Sequence, residues 1–411
     1  MPKPILMMIA TLACSLVLPA DRVHAQVNNS VYSMFGVGGM LDNSFGINKS
    51  LGGTGIAFQS EVSMNYVNPA SYIGIMPYSF NLELGAYDIF NTSETANASQ
   101  SDADFNFSYF SASWYLSKRW VLCLGLAPYS SVDYEIDSMD EIEGEPVSFA
   151  KKYTGSGGLS RVYLGNSFRI VKGLVVGFNA SFILGVIKET EIAVRDANFT
   201  GYEFNNKRSV TGGYLDFGTQ YSWDINDYRY TAGFVYGGGR TLNTTDEREF
   251  VYNGTMTTLE DDNDSDVEIP QKFGVGISMK KGSQFRIGVD YERKNWSDIR
   301  FTNPNLQIRN SERISTGLEY AVIQRENWLK NIYFRLGANY NKTYLQIDKV
   351  PINSSAVTLG VGIPFADASF LNLAVEYGKE GTLRKGLVKN SYWVYYLSFS
   401  LHEFWMRTKR Y

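Results

Sequence analysis

The chain has 411 residues, with 38 Lys and Arg against 42 Asp and Glu, a net charge of −4. It has neither a basic excess nor a basic stripe, so nothing in it is built for nucleic acid. Two cysteines are too few for a disulfide-framed domain.

Aromatic residues make up 15% of the chain and Gly fills 38 positions, yet mean hydropathy is only −0.20. Apolar residues spread in short alternating pieces, with many Tyr, Trp and Phe, fit a lipid-embedded β-barrel. An array of secreted β-sandwich domains is the alternative that the length allows, but no linker or repeated unit marks one.

Met1 to Ala25 carries one early cation, Lys3, and an apolar run from Ile5 to Leu18. It closes on the small-x-small site Val23-His24-Ala25. This predicts a secretory signal peptide cut before Gln26. Cys14 raises a lipoprotein alternative, but Thr11-Leu12-Ala13 is a poor lipid-attachment motif and the apolar run continues past it. Cleavage removes Lys3, Arg22 and Asp21, a net +1, so −4 becomes −5 and Cys123 is left without a disulfide partner. Beyond the signal no run of ~18 apolar residues remains, so no helix is expected to span a membrane.

Leu51 to Ile75 (LGGTGIAFQSEVSMNYVNPASYIGI) has neither a helical stripe nor a strand alternation. Its glycines allow tight turns and close backbone approach, and Pro69 biases Asn68 toward extended geometry. Such a segment packs only if something surrounds it. We therefore expect residues 26–78 to form a plug, 79–403 an all-β transmembrane antiparallel barrel around it, and 404–411 a periplasmic tail.

Fourteen strand cores are expected: 79–91, 104–116, 119–131, 152–170, 174–188, 208–223, 229–240, 269–280, 284–300, 306–321, 331–347, 353–364, 369–379 and 389–401. Alternation carries them, because lipid-facing and lumen-facing residues swap at each step. Phe273, Val275, Ile277 and Met279 oppose Lys272, Gly274, Gly276 and Ser278. Phe285, Ile287, Val289 and Tyr291 oppose Arg286, Gly288, Asp290 and Glu292. On this pattern Arg at Val289 should be costly and Arg at Gly288 milder. Tight connections such as Val171-Lys172-Gly173 alternate with long polar segments, 92–103, 132–151, 189–207 and 241–268. This is the expected contrast of periplasmic turns and outer loops.

Two of these loops are acidic. One carries Asp133, Glu135, Asp137, Asp140, Glu141, Glu143 and Glu145, the other Asp261-Asp262-Asn263-Asp264-Ser265-Asp266. The second fails the EF-hand pattern, since Val267 stands at the required Gly and Phe273 at the bidentate Glu, so a solvated loop is expected rather than a metal site. His402 is the only histidine of the mature chain. At the end of the last strand, beside Glu403, it reads as a packing residue, so no catalytic set and no enzyme is expected. Cys123 lies amid Leu122, Leu124 and Leu126 and reads as a buried, inert thiol. Gly237-Gly238-Gly239-Arg240 lacks the strand–helix setting of a phosphate loop. Pro128 falls inside the third strand, where a missing ladder donor implies a local break.

Three stretches in order carry a family resemblance: the Gly-rich lead into Asn68-Pro69-Ala70, Glu268-Ile269-Pro270-Gln271-Lys272-Phe273-Gly274-Val275-Gly276, and Val289-Asp290-Tyr291-Glu292-Arg293-Lys294-Asn295-Trp296-Ser297. Together they resemble the FadL/TodX family of outer-membrane transport proteins over most of the mature chain. The tail from Glu403 to Tyr411, with the Tyr-rich composition, resembles the family's Bacteroidota branch.

The resemblance implies an N-terminal hatch, a third strand kinked inward at Pro128 to touch it near Asn68, Pro69 and Ala70, and a lateral opening there. It implies passive uptake of small hydrophobic molecules, long-chain fatty acid-like, with release sideways into the membrane and no cofactor. Phe58, Tyr66 and Tyr72 are then candidates to line the apolar path. The expected surroundings are the lipid and lipopolysaccharide of a Gram-negative outer membrane. The rival is a non-transporting barrel subunit that binds protein partners in a secretion or envelope-assembly complex.

Replacing Ala25 with a bulky residue should leave an unprocessed precursor on immunoblots. Palmitate labelling at Cys14, without cleavage near Ala25, would show that the signal is of the other class.

Overall fold

The computed structural model describes residues 30–404 except 43, 142–147, 195–200, 253, 260–266, 298–305, 324–330 and 367. The expected signal, the second acidic loop and all but the first residue of the expected tail lie outside the described residues. No helix among those described is long and apolar enough to cross a membrane.

From residue 79 onward the chain is a closed antiparallel barrel of fourteen strands. They are β1 (Ser79–Glu94), β2 (Ser99–Ser117), β3 (Trp120–Glu141), β4 (Ser148–Val171), β5 (Leu174–Val194) and β6 (Tyr202–Ile225). β7 runs through Tyr228–Gly237 and Arg240–Tyr252, both paired with β6. β8 runs through Thr255–Leu259, Val267–Ile269 and Gln271–Lys281. There follow β9 (Phe285–Asn295), β10 (Leu306–Ile308 and Ser311–Val322), β11 (Ile332–Ile347), β12 (Val350–Ala366), β13 (Ser369–Gly381) and β14 (Lys389–Phe404). β14 closes on β1, from Phe404↔Ser79 to Lys389↔Glu94.

Each expected core falls on one strand, because each has an apolar outer face, but 284–300 overruns β9, which ends at Asn295, and residues 298–300 lie outside the described residues. Val275, Ile277, Val289, Leu336, Leu359, Leu373 and Tyr395 are all exposed on the outside, where lipid rather than water covers them. Their neighbours Lys272, Ser278 and Asp290 are buried on the inside.

Much of what reads as outer loop is strand. β3, β4, β5 and β6 are 22, 24, 21 and 24 residues long, where β9 has 11 and β13 has 13. A tilted strand needs about 9–11 residues to cross a bilayer, so one side of the barrel stands up as a wall. Ion pairs lace its upper part: Lys207–Glu247 at 2.9 Å, Arg208–Asp246 at 2.8 Å and Lys151–Glu191 at 3.4 Å. Val132, Leu159, Ile183, Ile187, Val210 and Leu242 form an apolar cluster lower on the same side.

The segment from residue 30 to 78 lies inside this barrel. Its regular pieces are short: a 3-10 turn Val31–Met34, a two-residue strand Gly39–Met40, one helical turn Ile47–Ser50 and a 3-10 helix Pro69–Gly74. It lies against inward-facing glycines of the wall. A Cβ at Gly177 would stand 2.5 Å from the Pro69 carbonyl carbon, at Gly233 2.2 Å from the Ile56 oxygen, and at Gly337 2.1 Å from the Gly52 nitrogen. Real Cβ atoms do not come that close, so the wall there must be side-chain-free.

Gly288 corrects a sequence expectation. A Cβ there would meet the Phe58 ring at 2.4 Å, so Gly288→Arg is not mild: it evicts Phe58. Val289→Arg should cost ~2–4 kcal/mol of barrel stability by placing charge in lipid. Folded yield in bilayers should fall for Val289→Arg. For Gly288→Arg the barrel should still form, but its N-terminal segment should become protease-sensitive. Wild-type yield for Val289→Arg would refute the assigned faces.

Candidate functional site: the filled lumen and an open seam

The N-terminal segment runs through the barrel from one rim toward the other. Since β1 starts and β14 ends at the same rim, the β13–β14 connection marks the opposite one. There the Ser30 hydroxyl donates to Glu380 at 3.1 Å, Asn390 donates to Ser30 at 2.9 Å, and the Tyr32 hydroxyl donates to the Val388 carbonyl. Further down, Arg313 grips Asp42 with both terminal nitrogens, at 2.7 and 3.0 Å, and adds the Gly52 carbonyl at 3.0 Å. Burial alone would push the Asp42 carboxyl up. Arg313 and Lys49 outweigh it and hold the carboxyl well below the usual carboxylate range.

One Asp290 oxygen accepts from the amides of Gly55 and Ile56 at 2.6 and 2.8 Å. Gln220 donates to the Ile56 and Phe58 carbonyls, and Arg286 to that of Gln59 at 2.7 Å. Glu83 accepts from the Met64 amide, the Ser63 hydroxyl and the Tyr109 hydroxyl.

Asn68, Pro69 and Ala70 lie deep. The Asn68 side chain donates to Ile56 and Thr219 carbonyls at 2.7 and 3.2 Å, and accepts from the Ala70 amide at 3.0 Å. Ser167 donates to the Ala70 carbonyl at 2.8 Å. On β3 the neighbour of Ser167 is Val121. Pro128 stands seven residues further along, roughly 20 Å up the strand. The structure therefore does not bring Pro128 to Asn68–Ala70, because the proline-led helix docks at the base of the barrel.

Pro128 meets a different part of the segment. The β3–β4 register shifts between Pro128 and Ser130. The β2–β3 ladder runs from Ser117↔Trp120 only to Phe110↔Leu126, and no described pair continues it upward. On the vacated edge of β3, Gly39 and Met40 pair with Ser131 and Ser130, and the Leu41 amide donates to the Tyr129 carbonyl at 3.2 Å. Gly38 makes this approach possible: its φ is +94°, and a Cβ there would lie 2.3 Å from the Ser131 oxygen. The inserted strand had no readable signal beyond its glycines, since two residues show no periodicity.

Between the segment and the wall lies a cavity of about 320 Å³. Ser108, Ala127 and Pro128 border it at the seam. Asp42, Lys49, Asp290, Glu292, Lys294, Glu312, Arg313, Lys342, Glu376 and Glu380 supply ionisable groups around it. Phe58, Tyr66 and Tyr72, expected to line an apolar path, are not among its walls. All three are at most 2% exposed. Arg286 lies 4.7 Å from the Phe58 ring centre, Arg161 4.1 Å from that of Tyr66, and Tyr72 donates to Asn179 at 3.0 Å. They cement plug to wall. His402 is buried with its ring nitrogen 2.9 Å from the Asn81 amide, and Cys123 is buried.

An outer face of apolar residues and a closed ladder define a transmembrane β-barrel, with the chain's own N-terminal residues packed against its inner face. Solved barrels share the fold. The Ralstonia pickettii toluene transporter TbuX aligns with a TM-score of 0.58 at 16% identity, over 87% of this chain and 98% of that one. The P. putida toluene transporter TodX gives 0.59 at 15%, over 89% and 100%, and a Pseudomonas aeruginosa FadL homologue 0.59 at 12%, over 90% and 100%. At these identities the likeness concerns the fold alone. No curated protein matches the sequence. The BamG family model matches residues 1–411, and the chain belongs to that family.

In a Cys123→Ser background, Met40→Cys with Ser130→Cys should form a disulfide readily, because paired strand residues lie within the roughly 7 Å Cα limit. Ala70→Cys with Ala127→Cys should not. Non-reducing gels decide, and the reverse pattern would overturn this placement of the plug.

Proposed function

We propose that this protein sits in the outer membrane of a Gram-negative cell as a stoppered barrel. Its work is to hold a protein partner in a secretion or envelope-assembly complex. Residues 26–78 are the stopper and 404–411 the periplasmic tail, whose composition suits the Bacteroidota. The observation that carries the reading is the charge of the lumen. Sites for apolar molecules are walled mainly by apolar side chains, whereas the cavity here sets ten ionisable groups among apolar and aromatic residues such as Phe45, Ile89 and Trp296. At about 25 cal/mol per Å² of apolar surface, a hydrocarbon leaving lipid for such a space forfeits the part of its transfer energy that falls against the charged wall. The tall wall of β3 to β6 supports the reading, since it presents polar, ion-paired surface beyond what spanning requires.

Passive uptake of small, long-chain fatty acid-like molecules with lateral release is the second reading. The β2–β3 seam favours it: the ladder ends beside the cavity at Ser108, Ala127 and Pro128. The toluene transporters that share the fold lend it support by analogy.

Two measurements separate them. Extraction from native membranes in mild detergent should yield a stoichiometric complex that survives gel filtration. The isolated barrel in liposomes should pass no apolar fluorescent probe faster than protein-free vesicles. A monomer that passes the probe, and stops when the Met40→Cys/Ser130→Cys variant is oxidised, would establish the channel instead.

A further inference from the structure

We propose that the seam between the upper halves of β2 and β3 receives an extended basic segment of a partner protein, added as a strand to the free edge of β2. The proposal rests on the partner-holding reading and names the chemistry of the partner.

The edge comes first. From Ser99 to Tyr109, apart from a one-residue bulge at Ser108, β2 is bonded to β1 on one side, and no described ladder reaches it on the other. An unpaired edge of this length is a template for strand addition. The molecule already uses that mode once, with Gly39 and Met40 on β3.

The second observation is the chemistry facing the edge. Below Pro128 the even residues of β3 point to lipid, with Leu124 and Leu126 exposed. The one-residue bulge reverses the alternation. Val132 therefore turns into the apolar interior cluster, while Ser131, Asp133 and Glu135 take the opposite face. On β2, Phe105 and Phe107 are exposed outward, so Asp102, Asp104 and Asn106 point inward, under the strand.

Asp133 is 5% exposed and its Oδ2 has no partner. Asn106 is 2% exposed and its Oδ1 has none either. The other face of the Asn106 amide donates to Asp104 at 3.1 Å. The charged groups that bear on the Asp133 carboxylate are Asp104, Asp102 and Glu135, all acids. Only Glu135 has a described cation, Lys152.

A seam with unpaired main chain, buried acceptors without donors and uncompensated carboxylates lacks what a basic strand brings. Asp102 and Asp104 are two residues apart on one face, ~7 Å along the strand. Alternate side chains of an added strand repeat at the same distance. The fitting segment carries Lys or Arg at alternate positions. The chain's own basic residues Arg407, Lys409 and Arg410 lie outside the described residues.

The test uses the full-length barrel in nanodiscs and a labelled peptide with Lys at alternate positions in a Thr/Val background. Anisotropy should report saturable binding, weakened on the order of tenfold or more by Asp102→Asn/Asp104→Asn/Asp133→Asn. Backbone N-methylation on the edge-facing amides, with every lysine kept, should abolish binding; this arm needs no protein variant. The triple variant should also release the partner from the native complex.

Binding that ignores N-methylation would overturn strand addition. Displacement by micromolar Ca²⁺ would make the seam a cation site instead. A native complex that survives the triple substitution would sink this proposal while leaving partner holding intact. Absence of any complex with the wild type would remove the underlying reading.

Discussion

Everything in this barrel follows from having to bury an irregular polypeptide inside a lipid-facing wall. A buried main chain without helix or sheet leaves its amides and carbonyls to find partners elsewhere. Here the wall supplies them. Asp290 takes two amides, Glu83 one amide, Gln220 two carbonyls, and Thr358 both donates to the Ser50 carbonyl and accepts from the Gly52 amide. The wall must also be smooth where the segment lies flat against it, so its glycines stand opposite Pro69, Ile56 and Gly52. Side chains that grip and positions without side chains form one mould.

The charged middle of the lumen has the same origin. Arg313 bridges Asp42 and the Gly52 carbonyl, and Glu319 sits between Arg286 and Arg335 at 2.8 and 2.7 Å. Arg286 reaches on to the Gln59 carbonyl. These pairs tie the segment to β9, β10 and β11. Removing one partner would strand a buried charge, a far larger penalty than the pair's net gain. A lumen fastened by ions is firm against the segment's withdrawal, and it is a poor road for hydrocarbons. Stoppering and polarity are thus one property.

The sequence discloses this architecture unevenly, for physical reasons. The strands are readable wherever lipid covers one face, as at Val275 and Ile277 opposite Lys272 and Ser278. Lipid imposes period-two alternation. The upper halves of β3 to β7 are not, because beyond the membrane Lys207, Glu247, Arg208 and Asp246 make both faces polar. Asp290 and Trp296 were visible as a motif without a stated role. The structure gives Asp290 the plug amides and stacks the Trp296 ring 4.1 Å from that of Tyr344. The aromatic residues of the plug misled, since Phe58, Tyr66 and Tyr72 look like a binding surface until the wall that covers them is present.

Pro128 shows how far one residue's consequences travel. Proline removes a ladder donor, so a break was legible at that position. What the break does depends on parity. A bulge of one residue exchanges the faces of β3, sending Val132 into the interior and Asp133 toward β2. The strand that had carried leucines against lipid could not keep doing so with carboxylates, and it leaves β2 at the level where that exchange occurs. The edge thus vacated must be paired or covered, and Gly38, Gly39 and Met40 do this from within the same chain. The seam and the strand borrowed from the N-terminus both follow from that inserted residue, while a second bulge, at Ser108 of β2, turns Asp102 and Asp104 inward and completes the acidic lining. Among the described residues, the upper edge of β2 is left without a strand partner.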